Sequence, residues 1–197
     1  MNTQDYKLNS SFTYLVILAA LIALGVAGRL LPHPPNFTPM AAIALFAGFI
    51  FVKRYMSVVA VVAAMLLTDY FAFGYLSPEW FASKSMIVVY LALLFPIVFR
   101  GFLQKKLGVF RIAGAALASS TVFFVATNFA VWAFSPMYEK TFAGLVLCYT
   151  MAVPFFQNTI AGDMMWSGVV FGSYYAIRHY SKLRVLTEKN DVLYSAN

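Results

Sequence analysis

Long apolar runs separated by short polar breaks dominate this chain, and they decide most of what it can fold into. The run from Phe12 to Leu31 contains one charged residue, Arg29. A helix needs roughly 20 such residues to cross a bilayer. In lipid a backbone group has no water to bond to, so an apolar segment of this length closes its own hydrogen bonds as a helix. Composition agrees: 62% of the residues are hydrophobic and 11% are charged, against about a quarter charged in soluble domains. These values exclude a soluble globular domain, a disordered chain and a disulfide scaffold. Cys148 is the only cysteine, so no intrachain disulfide and no CxxC metal or redox motif can form. The reading is an all-α integral membrane protein forming a single transmembrane domain over residues 1–197.

The breaks place six spans at about 12–31, 40–52, 55–75, 85–103, 110–134 and 156–180, with a polar tail over 181–197. The first run is longer than a signal-peptide core and lacks an A-x-A-like exit, so it reads as a retained span. Pro32-His33-Pro34-Pro35-Asn36-Phe37-Thr38-Pro39 cannot be helix interior and reads as a stiff extended loop. Span 2 is short, so it is either extended at its ends or sheltered by protein. Pro96 predicts a kink in span 4. The apolar stretch 141–153 stops at Pro154 and reads as a short re-entrant or interfacial helix before the last span.

With six spans both termini share one side, and 11 of the 14 basic residues fall there. That bias puts both termini in the cytoplasm of a multi-pass inner-membrane protein. The net charge of +7 is then loop charge that orients the bundle among membrane lipids, not a nucleic-acid surface.

Polar groups inside a bilayer are costly, and here they converge on one depth. Arg29, Asp69, Asn128, Asn158 and Asp163 all lie in the extracytoplasmic half of their spans, beside Asn36 and His33 of the proline loop. Two carboxylates against one arginine leave a surplus negative charge. The pattern points to a pocket open to the outside. The bland alternative is that these groups tie the helices together: Arg29 with Asp69 or Asp163, Asn128 with Asn158. Trp132 and Trp166 read either as interfacial belt or as rings stacked on a ligand. Trp166 follows Asp163 by three residues, so both fit one helix face. Tyr70, Phe71, Phe73, Tyr75, Trp80 and Phe81 cluster at the end of span 3. Ala19, Ala23 and Ala27 repeat on one face of span 1, as candidates for docking a membrane partner. Gly168 and Gly172 suggest close packing within the bundle, or else a docking face for another membrane subunit. No P-loop, G-x-S-x-G, H-E-x-x-H or dinucleotide loop is present. His33 and His179 lie on opposite sides, so no metal site and no cofactor are expected.

Arg29-Leu30-Leu31-Pro32-His33-Pro34-Pro35-Asn36-Phe37-Thr38-Pro39 with the small-residue run to Gly48, then Thr68-Asp69, then Asn158-Thr159-Ile160-Ala161-Gly162-Asp163 resemble a family of small, largely uncharacterised bacterial inner-membrane proteins described as transport proteins. That family is similar in fold to the S components of energy-coupling factor (ECF) vitamin transporters. The resemblance implies a six-helix, S-component-like bundle that takes a small vitamin- or precursor-like molecule from outside. It implies a first loop acting as lid, and an alanine face docking on a transmembrane coupling subunit with its ATPases. The expected ligand contacts are Arg29, Asn36, Asp69, Asn128, Trp132, Asn158, Asp163 and Trp166, with no catalytic residue. The rival expectations are an intramembrane enzyme using Asp69 and Asp163 as an acid/base pair, and a structural subunit of a membrane complex.

Overall fold

The computed structural model describes residues 11–73 and 83–195, with side chains over 11–71 and 83–181. Tyr75, Trp80 and Phe81 lie outside the described residues, as do the side chains of Phe73 and of the tail beyond 181. The helices are α1 (Ser11–Leu30), α2 (Met40–Ile50), α3 (Arg54–Phe73), α4 (Lys84–Leu94), α5 (Arg100–Lys105), α6 (Val109–Phe134) and α7 (Phe142–Ser195). A 3-10 turn, Phe95–Phe99, joins α4 to α5, so Lys84–Lys105 runs as one rod. Pro96 sits at its start. The ring leaves one backbone carbonyl without a donor, and the chain tightens there.

Five of these rods are long and apolar enough to cross a membrane: Ser11–Leu30, Arg54–Phe71, Lys84–Lys105, Val109–Phe134 and Phe142–Ser181. The pattern is that of a membrane protein. The sixth expected span is α2, which has 11 residues and a length of about 17 Å. It is sheltered rather than lengthened. Every residue from Met40 to Ile50 is buried, and α2 touches each of the other helices. Small residues let the neighbours close in. A Cβ at Gly48 would lie 3.2 Å from the Cα of Ile97.

The direction of each rod follows from its contacts. Gly25 faces Ala64 and Arg29 meets Asp69, so α1 and α3 run parallel. Gly28 lies against Pro39 at one end of α2, and Tyr14 lies 6.0 Å from Phe51 at the other, so α2 returns antiparallel. Carbonyls at and just past its C-terminal end, where a helix leaves acceptors over, are met by side chains. Ser57 Oγ donates to Ala47 O, Gln104 Nε2 to Phe49 O and Arg100 Nη2 to Val52 O, each at 2.8 Å.

The expected break at Pro154 is absent. The stretch 141–153 is not a separate re-entrant helix: α7 runs unbroken from Phe142 through Pro154. Proline fits the helical φ and removes one donor, leaving the carbonyl of Thr150 without its usual partner. Ending the helix among apolar neighbours would orphan a whole turn of backbone groups, which is worse. The apolar part of α7, Phe142–Ser181, has 40 residues and spans about 60 Å. It pairs antiparallel with α6 through Tyr149 Oη to Val125 O (2.7 Å) and Ser120 Oγ to Asp163 Oδ2 (2.6 Å).

The two halves of the bundle differ. Towards the Phe51 end the interior is aromatic. Phe46 lies edge-on to Phe171 at 5.3 Å, and Phe49 edge-on to Tyr174 at 5.5 Å. The polar interior lies towards the 31–39 end. Outward faces correct one expectation: among the described residues, Gly168 and Gly172 have no atoms within 4 Å of a would-be Cβ, so no close contact within the bundle is made there. Ala19, Ala23 and Ala27 are exposed too, because α1 buries the opposite side, Leu21, Gly25 and Gly28.

Candidate binding site

The polar interior begins with Arg29. One arm of its guanidinium donates to Asp69 Oδ1 at 2.9 Å, and another donates to Thr68 Oγ1. Tyr90 Oη donates to Asp69 Oδ2 at 2.7 Å. Asp69 is 2% exposed, so both carboxylate oxygens are partnered inside the bundle. A buried carboxylate needs this: an uncompensated buried charge is far costlier than a paired one.

Next to this pair lies a cavity of about 320 Å3. Arg29 lines it from α1, Asn36 and Thr38 from the loop, Met40 and Ala41 from α2, and Met65 from α3. Val89, Ala92, Leu93 and Pro96 line it from the α4 rod, Ser119, Phe123 and Thr127 from α6, and Thr159 and Asp163 from α7. A recess of about 90 Å3 adjoins it, sharing Asn36, Phe123, Thr127 and Thr159 and adding Phe124, Asn128, Ala152, Phe155 and Phe156. The volume lies at the lower end of small-molecule sites, about 300–1,000 Å3. A groove of similar volume at the far end is lined by Ser11, Leu15, Val52, Lys53 and Tyr55, which are themselves exposed. It is a surface feature.

Loop 31–39 roofs the polar cavity. Phe37 N donates to Pro34 O and Thr38 N to Asn36 O, both at 3.0 Å. Asn36 has φ 66°, the left-handed region that asparagine tolerates better than other side-chain-bearing residues. The roof rests on α7. A Cβ at Gly162 would lie 3.0 Å from Phe37 Cα and 3.3 Å from Thr38 N. A side chain there would have to push the loop back by some tenths of an ångström, and the neighbour Asp163 lines the cavity.

Asp163 is 5% exposed. Its partner is a neutral hydroxyl, Ser120 Oγ at 2.6 Å, and among the described residues it has no basic partner. Three lining hydroxyls are already committed as donors. Ser119 Oγ donates to Ala115 O at 2.7 Å, and Thr127 and Thr159 donate to Phe123 O and Phe155 O at 2.8 Å. A hydroxyl has one proton and two lone pairs, so what these three offer the cavity is acceptor capacity.

Of the eight residues expected at the site, Arg29, Asn36 and Asp163 line the cavity and Asn128 lines the recess. The other four line neither. Asp69 is held by Arg29 and Tyr90. Trp132 Nε1 donates to Glu139 O at 2.9 Å, in the α6–α7 connection. Asn158 is half-buried elsewhere on α7. Trp166 packs against the apolar core, with no hydrogen-bond partner for its Nε1 among the described residues. Asn128 does not reach Asn158; its Nδ2 donates to Phe124 O of its own helix at 2.8 Å. Residues that sequence reasoning passed over are Thr38, Ser119, Ser120, Phe123, Thr127, Thr159 and Tyr90. Thr38 and Thr159 stand inside the motifs that carry the family resemblance, and Ser119 and Ser120 in the Ser119-Ser120-Thr121 run inside an apolar helix; Phe123, Thr127 and Tyr90 carry no such signal.

Fold and cavity together define a class: among the described residues, a helical bundle with five helices long and apolar enough to cross a membrane, holding a cavity of mixed polar and apolar lining beneath a proline-rich loop. Residues 9–186 match the model of a family of unknown function, DUF6580, and the chain belongs to that family. No curated protein and no solved structure matches the chain. These comparisons show no likeness to ECF S components.

Proposed function

We propose that this protein is the substrate-binding part of a membrane transport system, taking a small polar molecule into the cavity beneath loop 31–39. One observation carries the reading: a cavity beneath the loop in which a buried carboxylate, Asp163, has only a neutral partner among the described residues. A purely structural polar group would be expected to be fully paired, as Asp69 is. On this reading the 31–39 end faces outside, both termini lie in the cytoplasm of a bacterial cell, and the loop acts as lid. The aromatic half towards Phe51 favours binding over a polar path across the membrane. The exposed Ala19, Ala23 and Ala27 face is available to a coupling subunit, as the S-component resemblance implies.

The enzyme reading is less favoured. Asp69 is saturated by Arg29 and Tyr90 and lines neither cavity, so it shares no reaction space with Asp163. The structural-subunit reading is separated by experiment. Purified protein in detergent is heated with and without a protein-free small-molecule extract of the source cells. The wild type is expected to melt several degrees higher with extract, and Ala92→Phe, which fills the cavity, is expected not to respond. An equal shift in both, or none in either, would count against the reading.

A further inference from the structure

Building on the proposed binding role, we infer that the ligand is an organic cation, presenting an ammonium or amidinium N–H group to Asp163. Two independent observations carry this. The first is charge. The Arg29 guanidinium, the one basic group lining the cavity, is balanced by Asp69 at 2.9 Å, while Asp163 has no basic counterpart among the described residues. With Asp163 ionised, the described walls together would carry one unbalanced negative charge. The second is hydrogen-bond polarity. Ser119, Thr127 and Thr159 spend their protons on their own helices, so the α6–α7 wall that carries Asp163 offers acceptors to the cavity. A carboxylate sharing a wall with acceptor oxygens complements a group with several N–H donors and one positive charge. Phe123 adds an aromatic surface of the kind that attracts cations.

The opposite wall pulls the other way, and this makes the inference testable. Arg29 and the N-terminus of α2 at Met40 and Ala41 favour anions. The balance is therefore decided by whether Asp163 or that wall dominates. The remaining space sets the probe. At about 320 Å3, the cavity exceeds the roughly 150 Å3 that suffices for benzene in an engineered protein core. A single ring with a short arm therefore fits.

The experiment is equilibrium binding to the full chain in detergent with three probes of one shape: phenethylammonium, 2-phenylethanol and 3-phenylpropionate. The expected result is at least tenfold tighter binding of phenethylammonium than of either other probe. Asp163→Asn is expected to bring the ammonium down to the level of the alcohol. The probe comparison is made on the wild type, so it does not depend on the variant folding. Equal binding of the alcohol and the ammonium would overturn the inference, because Asp163 would then be held as the neutral acid. Tightest binding of 3-phenylpropionate would overturn it too, with the Arg29 wall in control; either result leaves a small-ligand site standing. No response to any probe also overturns it, and the cell-extract measurement then reports separately whether the binding role fell with it.

Discussion

Arg29→Ala is expected to destabilise the bundle by about 3–5 kcal/mol, the size of effect seen when one partner of a buried ion pair is removed. The cause is the residue left behind. Asp69 is 2% exposed and would keep only Tyr90 as partner. The reverse change, Asp69→Ala, should cost less, because the Arg29 side chain is 26% exposed and reaches polar surroundings. The double variant Arg29→Met, Asp69→Leu should recover most of the loss, since matched apolar replacement of a buried pair is often neutral. Unfolding by SDS titration in mixed micelles measures all three. An Arg29→Ala loss within about 1 kcal/mol would mean that the pair is not buried as described.

Gly162→Val should leave the bundle folded while weakening ligand binding at least tenfold, about 1.4 kcal/mol. Any Cβ at 162 meets the backbone of Phe37 at 3.0 Å, and backbone cannot swing aside like a side-chain tip. The roof must lift, carrying Asn36 and Thr38 away from the cavity. Gly168→Val is the control on the same helix, since nothing lies within 4 Å of its would-be Cβ. Phenethylammonium affinity in the two variants, with helix content by circular dichroism, reads the difference. Equal affinity in both would remove loop 31–39 from the binding account.

Much of the fold was legible because lipid leaves few solutions. Five of the expected spans reappear as helices within a few residues of their hydropathy limits, apart from α7, which begins much earlier. The shortness of span 2 correctly posed the choice between lengthening and shelter. Pro154 misled for a physical reason. The rule that proline ends helices is strongest where water can take over the freed carbonyl, and an apolar bundle removes that alternative. The Gly168 and Gly172 pair misled for a different reason. Spacing of four puts Gly168 and Gly172 on one face, but does not say whether that face turns inward.

The site was legible by depth and not by direction. Sorting polar residues by level found Arg29, Asn36, Asn128 and Asp163, which border the cavity or its recess. It also gathered Asp69, Asn158, Trp132 and Trp166, which share that end of the bundle but line neither space. Asp163 and Trp166 are three residues apart, about 60° around a helix, and that was enough to send the tryptophan into the core. The hydroxyls of Ser119, Thr127 and Thr159 were silent because serine and threonine bond to their own helix wherever they stand. Their acceptor role appears only when the cavity beside them is known.

The central claim is that the space between Asp163 and loop 31–39 holds a small molecule. Native mass spectrometry of the protein gently extracted from its own membrane tests it most directly, with Ala92→Phe run in parallel. Wild-type protein is predicted to carry a non-lipid adduct at stoichiometric or near-stoichiometric occupancy, lost on activation and absent from Ala92→Phe. Wild-type protein with no such adduct, or an adduct held equally by the filled variant, would contradict it.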